Sequence, residues 1–104
     1  MKAALVMISE VQITPVKPKD GLVGFASFIF AGALYCGSVG IFSRPSGGYR
    51  LVYPTKLVAG RQLDMYHPIT GTVGRQIEEA VITKFEEVMN NARYRHSSAE
   101  LLSQ

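Results

Sequence analysis

The sequence contains a single cysteine in 104 residues, and this scarcity limits its covalent and metal chemistry. Cys36 has no partner for an internal disulfide, and it belongs to no CxxC or Cys/His pattern with the spacing of a zinc site. It stands within an apolar stretch, where a lone cysteine behaves as a small buried hydrophobe. We therefore expect neither a disulfide scaffold nor a bound metal or other cofactor.

The sequence also lacks an apolar run that is long and uninterrupted enough to span a bilayer. Residues 22–42 are hydrophobic, but three glycines divide them. They fit two short strands and a turn better than the alternative, a membrane helix. Near the N-terminus, Ser9 and Glu10 cut the apolar stretch too short for a signal peptide. These absences predict a soluble, cytoplasmic protein with no membrane partner.

Catalytic motifs are absent as well. His67, which is expected to close a strand, and His96 are the only histidines, and neither has a cluster of ligands at metal spacing. Asp64 precedes His67 by three residues, which on a strand places the two side chains on opposite faces and disfavours a dyad. Residues 71–74 lack the length and the lysine of a P-loop, and no nucleophile elbow is present. We expect a non-enzyme without a small-molecule substrate.

The composition that is present predicts one folded domain. Apolar residues make up 47% and charged residues 18% of the chain, so it can bury a core. We assign residues 1–104 to one domain, with residues 1–7 as an N-terminal extension and 93–104 as a C-terminal tail. Basic residues outnumber acidic ones up to position 75, whereas glutamates dominate from 76 to 92. The surplus can form a basic patch, or it can simply keep the loops solvated.

Alternating side chains and turn residues predict about five strands, at residues 8–14, 22–31, 34–43, 49–53 and 63–66. Pro15 is expected to end the first strand, and residues 56–62 to form an exposed segment. The second strand is apolar on both sides, with Phe25 and Ile29 on one face and Phe28 and Phe30 on the other. Because one helix covers only one face of a sheet, the other face or an edge needs a partner, and we expect a homodimer.

The last element is an amphipathic helix over about residues 73–91, with Thr70 or Thr72 as its N-cap. Its apolar stripe has spacings of three and four and consists of Val73, Ile77, Ala80, Val81, Phe85, Val88, Met89 and Ala92. Arg93 and Arg95 suit the dipole at its C-terminal end, and whether residues 97–104 extend it stays open. The predicted fold is therefore α+β, a small antiparallel sheet packed by one long C-terminal helix.

The helix start is a candidate phosphate site. The first turn offers unpaired N–H groups, Gly71 and Gly74 leave the backbone open to close approach, and Arg75 adds a positive charge. The alternative is that the glycines only shape the helix entry and that Arg75 is solvated. We include Gly74 and Arg75 among the candidate nucleic-acid-binding residues.

Four further basic residues join this set: Lys56, Arg61, Arg50 and Arg44. Arg44 and Arg50 flank a glycine turn whose tip can enter a groove or lie along a phosphate strand, and Lys56 and Arg61 follow the strand that Pro54 closes. Tyr49 and Tyr53 alternate on that strand, where they either stack on bases or pack at the rim of the core.

The chain resembles the stage V sporulation protein G (SpoVG) family over about residues 8–88. The specific parts of the resemblance are GYRLVYPTK at 48–56, DMYHPI at 64–69 and IEEAV at 77–81. Members of the family form a small antiparallel sheet with a C-terminal helix, associate as homodimers and bind DNA and RNA as non-catalytic regulators of sporulation and septation. The resemblance therefore implies a nucleic-acid-binding regulator linked to gene expression and cell division.

The resemblance also points to basic residues at the helix start, a position that falls on Arg75. Many relatives read Thr-Arg-Gly-Lys where this chain reads VGRQ at 73–76, so one basic residue replaces two. The hairpin tip at 31–33 lacks the charged residues that are common in relatives. The competing hypothesis is a protein-interaction module that has kept the fold without nucleic-acid binding.

Overall fold

The computed structural model describes the backbone of residues 7–102 and the side chains of residues 7–92. Within that range the elements are β1 (Ile8–Lys19), β2 (Leu22–Phe30), β3 (Leu34–Ser43), β4 (Tyr49–Val52), β5 (Thr55–Val58), β6 (Arg61–Asp64) and α1 (Gly71–Leu102). Strands β1 to β4 form one antiparallel sheet in chain order, and β5 and β6 form a separate two-stranded sheet, the β5–β6 ribbon. The predicted α+β class is confirmed, with six strands in two sheets in place of about five in one.

Strand β1 extends through Pro15 to Lys19, so the prediction that Pro15 ends it is wrong. A proline is tolerated because β1 is an edge strand, and its pairing with β2 shifts register between Pro15 and Lys19. The turn that follows is built by Asp20 and Gly21, whose φ angles of 54° and 90° suit a tight hairpin.

The hairpin between β2 and β3 forms as predicted. Ala31 and Gly32 have φ angles of 54° and 66°, and the Ala33 N–H donates to the Phe30 carbonyl at 3.0 Å, which closes a tight turn within the three-residue loop 31–33. Further along β3, the register shifts opposite residues 26–28, and Ser38 has a φ of 62°. This bulge adds a residue to β3, and as a result Cys36 and Val39 both face the core.

The segment after Pro54 differs from the prediction. Residues 56–62, expected to lie between strands, instead belong largely to the β5–β6 ribbon, and the strand expected at 63–66 lies at Arg61–Asp64. Ala59 and Gly60, with φ angles of 51° and 78°, supply the two-residue turn. All the ribbon strand residues are exposed, so the predicted exposure is confirmed while the secondary structure is corrected.

Helix α1 begins at Gly71 and continues to Leu102, beyond the predicted end at residue 91. The Thr70 hydroxyl accepts the Val73 N–H at 3.2 Å, which confirms Thr70 as the N-cap. Because the helix continues, Arg93 and Arg95 lie in its body and not at its C-terminal end, and their side chains lie outside the described residues. Residues 1–6 of the predicted N-terminal extension also lie outside them.

The core forms where one face of α1 meets one face of the four-stranded sheet. Its buried side chains are Ala26, Phe28, Cys36, Val39, Ile41, Ile77, Val81 and Phe85, which confirms the buried cysteine and the helical stripe as far as Met89. Ala92, the last residue of the predicted stripe, is exposed. The opposite face of the sheet has no helix, and Phe25 is 40% exposed there. The expectation that β2 is covered on both sides is therefore not met within one chain. Among the described residues, no helix is long and apolar enough to cross a membrane.

Candidate nucleic-acid interface

Arg75 is the fifth residue of α1, at the start of its second turn, and its side chain folds back along the first turn. A Cβ built on Gly71 would lie 3.2 Å from the Arg75 Nη1 atom, so the guanidinium stands beside the helix start. In the described part of the chain, the amides of Gly71 and Thr72 have no hydrogen-bond acceptor, and the first turn contains no acidic residue. A cation, free amides and the positive end of the helix dipole therefore occupy one small region.

Gly74 does not leave the backbone open to a ligand, as its place near the helix start suggested. A Cβ at this residue would lie 3.7 Å from Pro68 Cγ, and Gly74 is half-buried. Its N–H donates to the Thr70 carbonyl at 3.0 Å, which is the first i→i−4 hydrogen bond of the helix. Gly74 packs against the segment that leads into the helix, whereas Gly71 is the exposed glycine beside Arg75.

Arg44 and Arg50 lie together at the end of the sheet where β1 turns into β2. They line one shallow depression with Asp20, Gly21, Phe42, Ser43 and Pro45. The Arg50 Cζ atom stands 5.1 Å from the centroid of the Phe42 ring, within the range of a cation–π contact. Sequence reasoning did not single out Phe42 in this role, although the cross-strand pairing of Phe42 with Arg50 supplies the reason for it.

Lys56 and Arg61 share one face of the β5–β6 ribbon. Lys56 pairs with Leu63 and Val58 pairs with Arg61, and partners in an antiparallel pair point to the same side. That face therefore carries two cations interleaved with two aliphatic side chains, all of them exposed.

The structure thus places the predicted basic residues at three separate positions. Arg75 is at the helix start, close to the end of the sheet that holds Phe30 and Leu34, because Val73 lines a common cavity with them. The pair Arg44 and Arg50 stands at the opposite end, and the strand between Leu22 and Phe30 spans about 26 Å. An elongated ligand such as a nucleic-acid strand can reach more than one of these positions, and a compact anion cannot.

Tyr49 and Tyr53 pack against the core. The Tyr49 ring meets Phe85 edge-on at 5.1 Å, and Tyr53 meets Tyr66 edge-on at 6.0 Å. Burial, with a smaller contribution from Glu78, raises the pKa of Tyr53 to about 12. Of the two interpretations of these tyrosines, rim packing agrees with the structure.

Tyr66 fixes the end of the ribbon to the sheet. Its hydroxyl donates to the Gly37 carbonyl at 2.6 Å, next to the bulge of β3. Burial, with smaller contributions from Cys36, Tyr53 and Tyr35, raises the pKa of Tyr66 to about 12. The hydroxyl therefore remains a hydrogen-bond donor at neutral pH.

Asp64 and His67 approach each other more closely than predicted. The Asp64 Oδ2 and His67 Nε2 atoms are 3.7 Å apart, which makes an ion pair when the imidazole is protonated. The prediction of opposite faces is wrong because β6 ends at Asp64, so strand alternation does not extend to His67. Both side chains are about half or more exposed, and among the described residues no three potential metal ligands come together.

The fold is that of an α+β protein whose exposed cations stand at the helix start, on a projecting ribbon and beside a glycine turn. The chain is 26% identical over 84 residues to a protein of Phytoplasma australiense named "Putative septation protein SpoVG". The aligned region covers 81% of this chain and 88% of that protein. No family model matches the chain. The similarity suggests the SpoVG family, in agreement with the resemblance of the motifs.

Proposed function

We propose that this chain is a SpoVG-like, non-catalytic regulator that binds DNA or RNA as a cytoplasmic homodimer and acts in gene expression linked to sporulation and septation. The observation that carries the proposal is the position of Arg75 beside the amides of Gly71 and Thr72. A backbone phosphate placed there would accept hydrogen bonds from the guanidinium and from the helix start. The similarity to the septation protein supports the same class of function.

Homodimer formation is supported by the apolar side chains that a single chain leaves in water. Leu57 is 68% exposed, Met65 57% and Ile69 90%, all within the segment that runs from the β5–β6 ribbon to the helix. Several large apolar side chains exposed along one short segment are typical of an interaction surface. The same observation favours the second candidate function, a protein-interaction module without nucleic-acid binding.

The test compares Arg75→Ala with Lys84→Ala in binding to mixed DNA and RNA pools at several salt concentrations. Lys84 is the matched control because it is a cation on the same helix, but it pairs with Glu87 at 3.2 Å and stands away from the helix start. Arg75→Ala is expected to weaken binding and to reduce the log–log salt slope by about 0.9 for each duplex phosphate that the variant no longer neutralises. Lys84→Ala and Glu78→Ala are expected to bind as the parent chain does.

Both Arg75→Ala and its controls are expected to keep the unfolding free energy within about 0.5 kcal/mol, because the sites are on the surface. An equal reduction of affinity in Arg75→Ala and Lys84→Ala would show that only overall charge matters. A parent chain that binds no nucleic acid, yet sediments with a protein partner, would favour the interaction module.

A further inference from the structure

The helix-free face of the four-stranded sheet carries a row of aromatic side chains. Phe25 pairs with Gly40, and Phe42 lies two residues further along the same strand as Gly40, so Phe25 and Phe42 share this face. Tyr35 pairs with Ile29, which is four residues from Phe25 and thus also on this face. We call this surface, comprising Phe25, Tyr35 and Phe42, the open aromatic face.

Glycines of β3 hold two of these rings against the sheet. A Cβ at Gly37 would lie 2.8 Å from a ring carbon of Tyr35, and a Cβ at Gly40 would lie 3.0 Å from a ring carbon of Phe42. Each ring therefore lies over a glycine of its own strand, where a larger residue would displace it. Tyr35 is nevertheless 70% exposed, so most of its surface remains available to a ligand.

The surface between Phe25 and Tyr35 is polar but uncharged. The two aromatic side chains line one depression together with Gln12, Thr14, Ala26, Ser27 and Ser38. Hydroxyl and amide groups can donate and accept hydrogen bonds at the edge of a planar ring, while the absence of cations makes this depression unsuited to a phosphate. A protein partner with an apolar surface would leave these polar groups without hydrogen bonds, which is costly.

A cation stands at the end of the same face. Arg50 pairs with Phe42 across β3 and β4, and its guanidinium is held over the Phe42 ring. Proteins that bind single-stranded nucleic acid combine aromatic rings, on which the bases stack, with cations that contact the phosphate chain. This face has both kinds of side chain.

We propose that the open aromatic face binds single-stranded nucleic acid by stacking bases on Phe25 and Tyr35, with Arg50 contacting the phosphate chain. This inference rests on the proposed function, nucleic-acid binding, and it specifies a single strand as the ligand. Bases in a duplex are stacked on one another, so their faces cannot reach these rings.

The experiment measures fluorescence anisotropy of a labelled 12-nucleotide single strand and of its duplex, with the parent chain and with Phe25→Leu and Tyr35→Leu. Leucine keeps an apolar side chain but removes the aromatic face. Each substitution is expected to weaken single-strand binding roughly 5- to 150-fold, the range that alanine substitution gives for one base–aromatic stack. The salt slope is expected to stay unchanged, because stacking releases no counterions.

Two control variants test the residue type and the location. Tyr35→Phe keeps the ring and is expected to bind as the parent chain does. Leu34→Ala removes an exposed apolar side chain next to Tyr35, but Leu34 lines the cavity beside the helix start on the other side of the sheet, so single-strand affinity is expected to be unchanged.

A direct fluorescence measurement covers the possibility that a leucine variant fails to fold. The chain has no tryptophan, so Tyr35→Trp supplies a single indole fluorophore at an exposed position. Stacking of a base is expected to quench its emission when the single strand is added, and unchanged emission at saturation would overturn the proposal.

The outcomes separate this inference from the function on which it rests. A parent chain that binds neither strand nor duplex would overturn both. Binding that both leucine variants retain would overturn the open aromatic face alone. If Tyr35→Leu or Phe25→Leu instead dissociates a dimer in sedimentation and leaves nucleic-acid affinity unchanged, the face is a subunit interface and the inference is wrong.

Discussion

Replacing Tyr66 by phenylalanine removes one hydroxyl and tests how firmly the ribbon is joined to the sheet. The hydroxyl donates to the Gly37 carbonyl at 2.6 Å, in partly buried surroundings and across 29 residues of sequence. A neutral hydrogen bond contributes about 0.5–1.5 kcal/mol net, and a carbonyl left without a partner adds a cost that water reaching the half-buried Gly37 reduces. We therefore expect Tyr66→Phe to lower the free energy of unfolding by about 1–2 kcal/mol.

The assay is urea denaturation followed by circular dichroism, together with a thermal scan in which Tm falls by roughly 5–10 °C. The phenylalanine ring keeps its edge-on packing against Tyr53, so the m-value is expected to stay constant. Tyr53→Phe is the matched control, because the described residues provide no hydrogen-bond partner for the Tyr53 hydroxyl. A decrease in stability for Tyr66→Phe that is no larger than the decrease for Tyr53→Phe would refute the reasoning.

Two further predictions concern the cap and alkaline pH. Thr70→Ala removes the acceptor of the Val73 N–H and is expected to cost about 1 kcal/mol in chemical denaturation, whereas Thr70→Ser keeps the oxygen and most of the stability. Spectrophotometric titration is expected to show Tyr53 and Tyr66 ionising near pH 12, above the usual pKa of 10, because burial favours their neutral forms. The stability that these neutral forms provide is complete below about pH 10 and disappears as pH rises toward 12, and Tyr66→Phe should show a smaller decrease over that range.

The sequence predicted the parts of the fold in which local signals agree with burial. The helical stripe, the Thr70 cap and the β2–β3 hairpin all depend on residues close together in the chain, and the structure confirms each of them. The β5–β6 ribbon was missed because its apolar side chains are exposed and its turn begins with Ala59, a residue that rarely adopts a positive φ.

The sequence predicted which basic residues are candidates for the site, but not how they are arranged in space. Arg75 could be located at the helix start because a helix N-terminus has a recognisable pattern. Strand alternation could not predict which side chains share the open aromatic face, because the bulge at Ser38 changes the alternation between Cys36 and Val39. The separation of Arg75 from Arg44 and Arg50 likewise depends on how the helix lies on the sheet, which is a tertiary property.

The close approach of Tyr35 to Gly37 has a consequence for how the sequence can diverge. With only 2.8 Å between a Cβ at position 37 and the Tyr35 ring, residue 37 can gain a side chain only if residue 35 becomes smaller or turns away. The same coupling, at 3.0 Å, joins position 40 to Phe42. Substitutions along β3 are therefore expected to occur in pairs two residues apart, in which removal of the ring permits replacement of the glycine. A lineage that kept either glycine without its ring would retain a flexible backbone position with nothing packed over it.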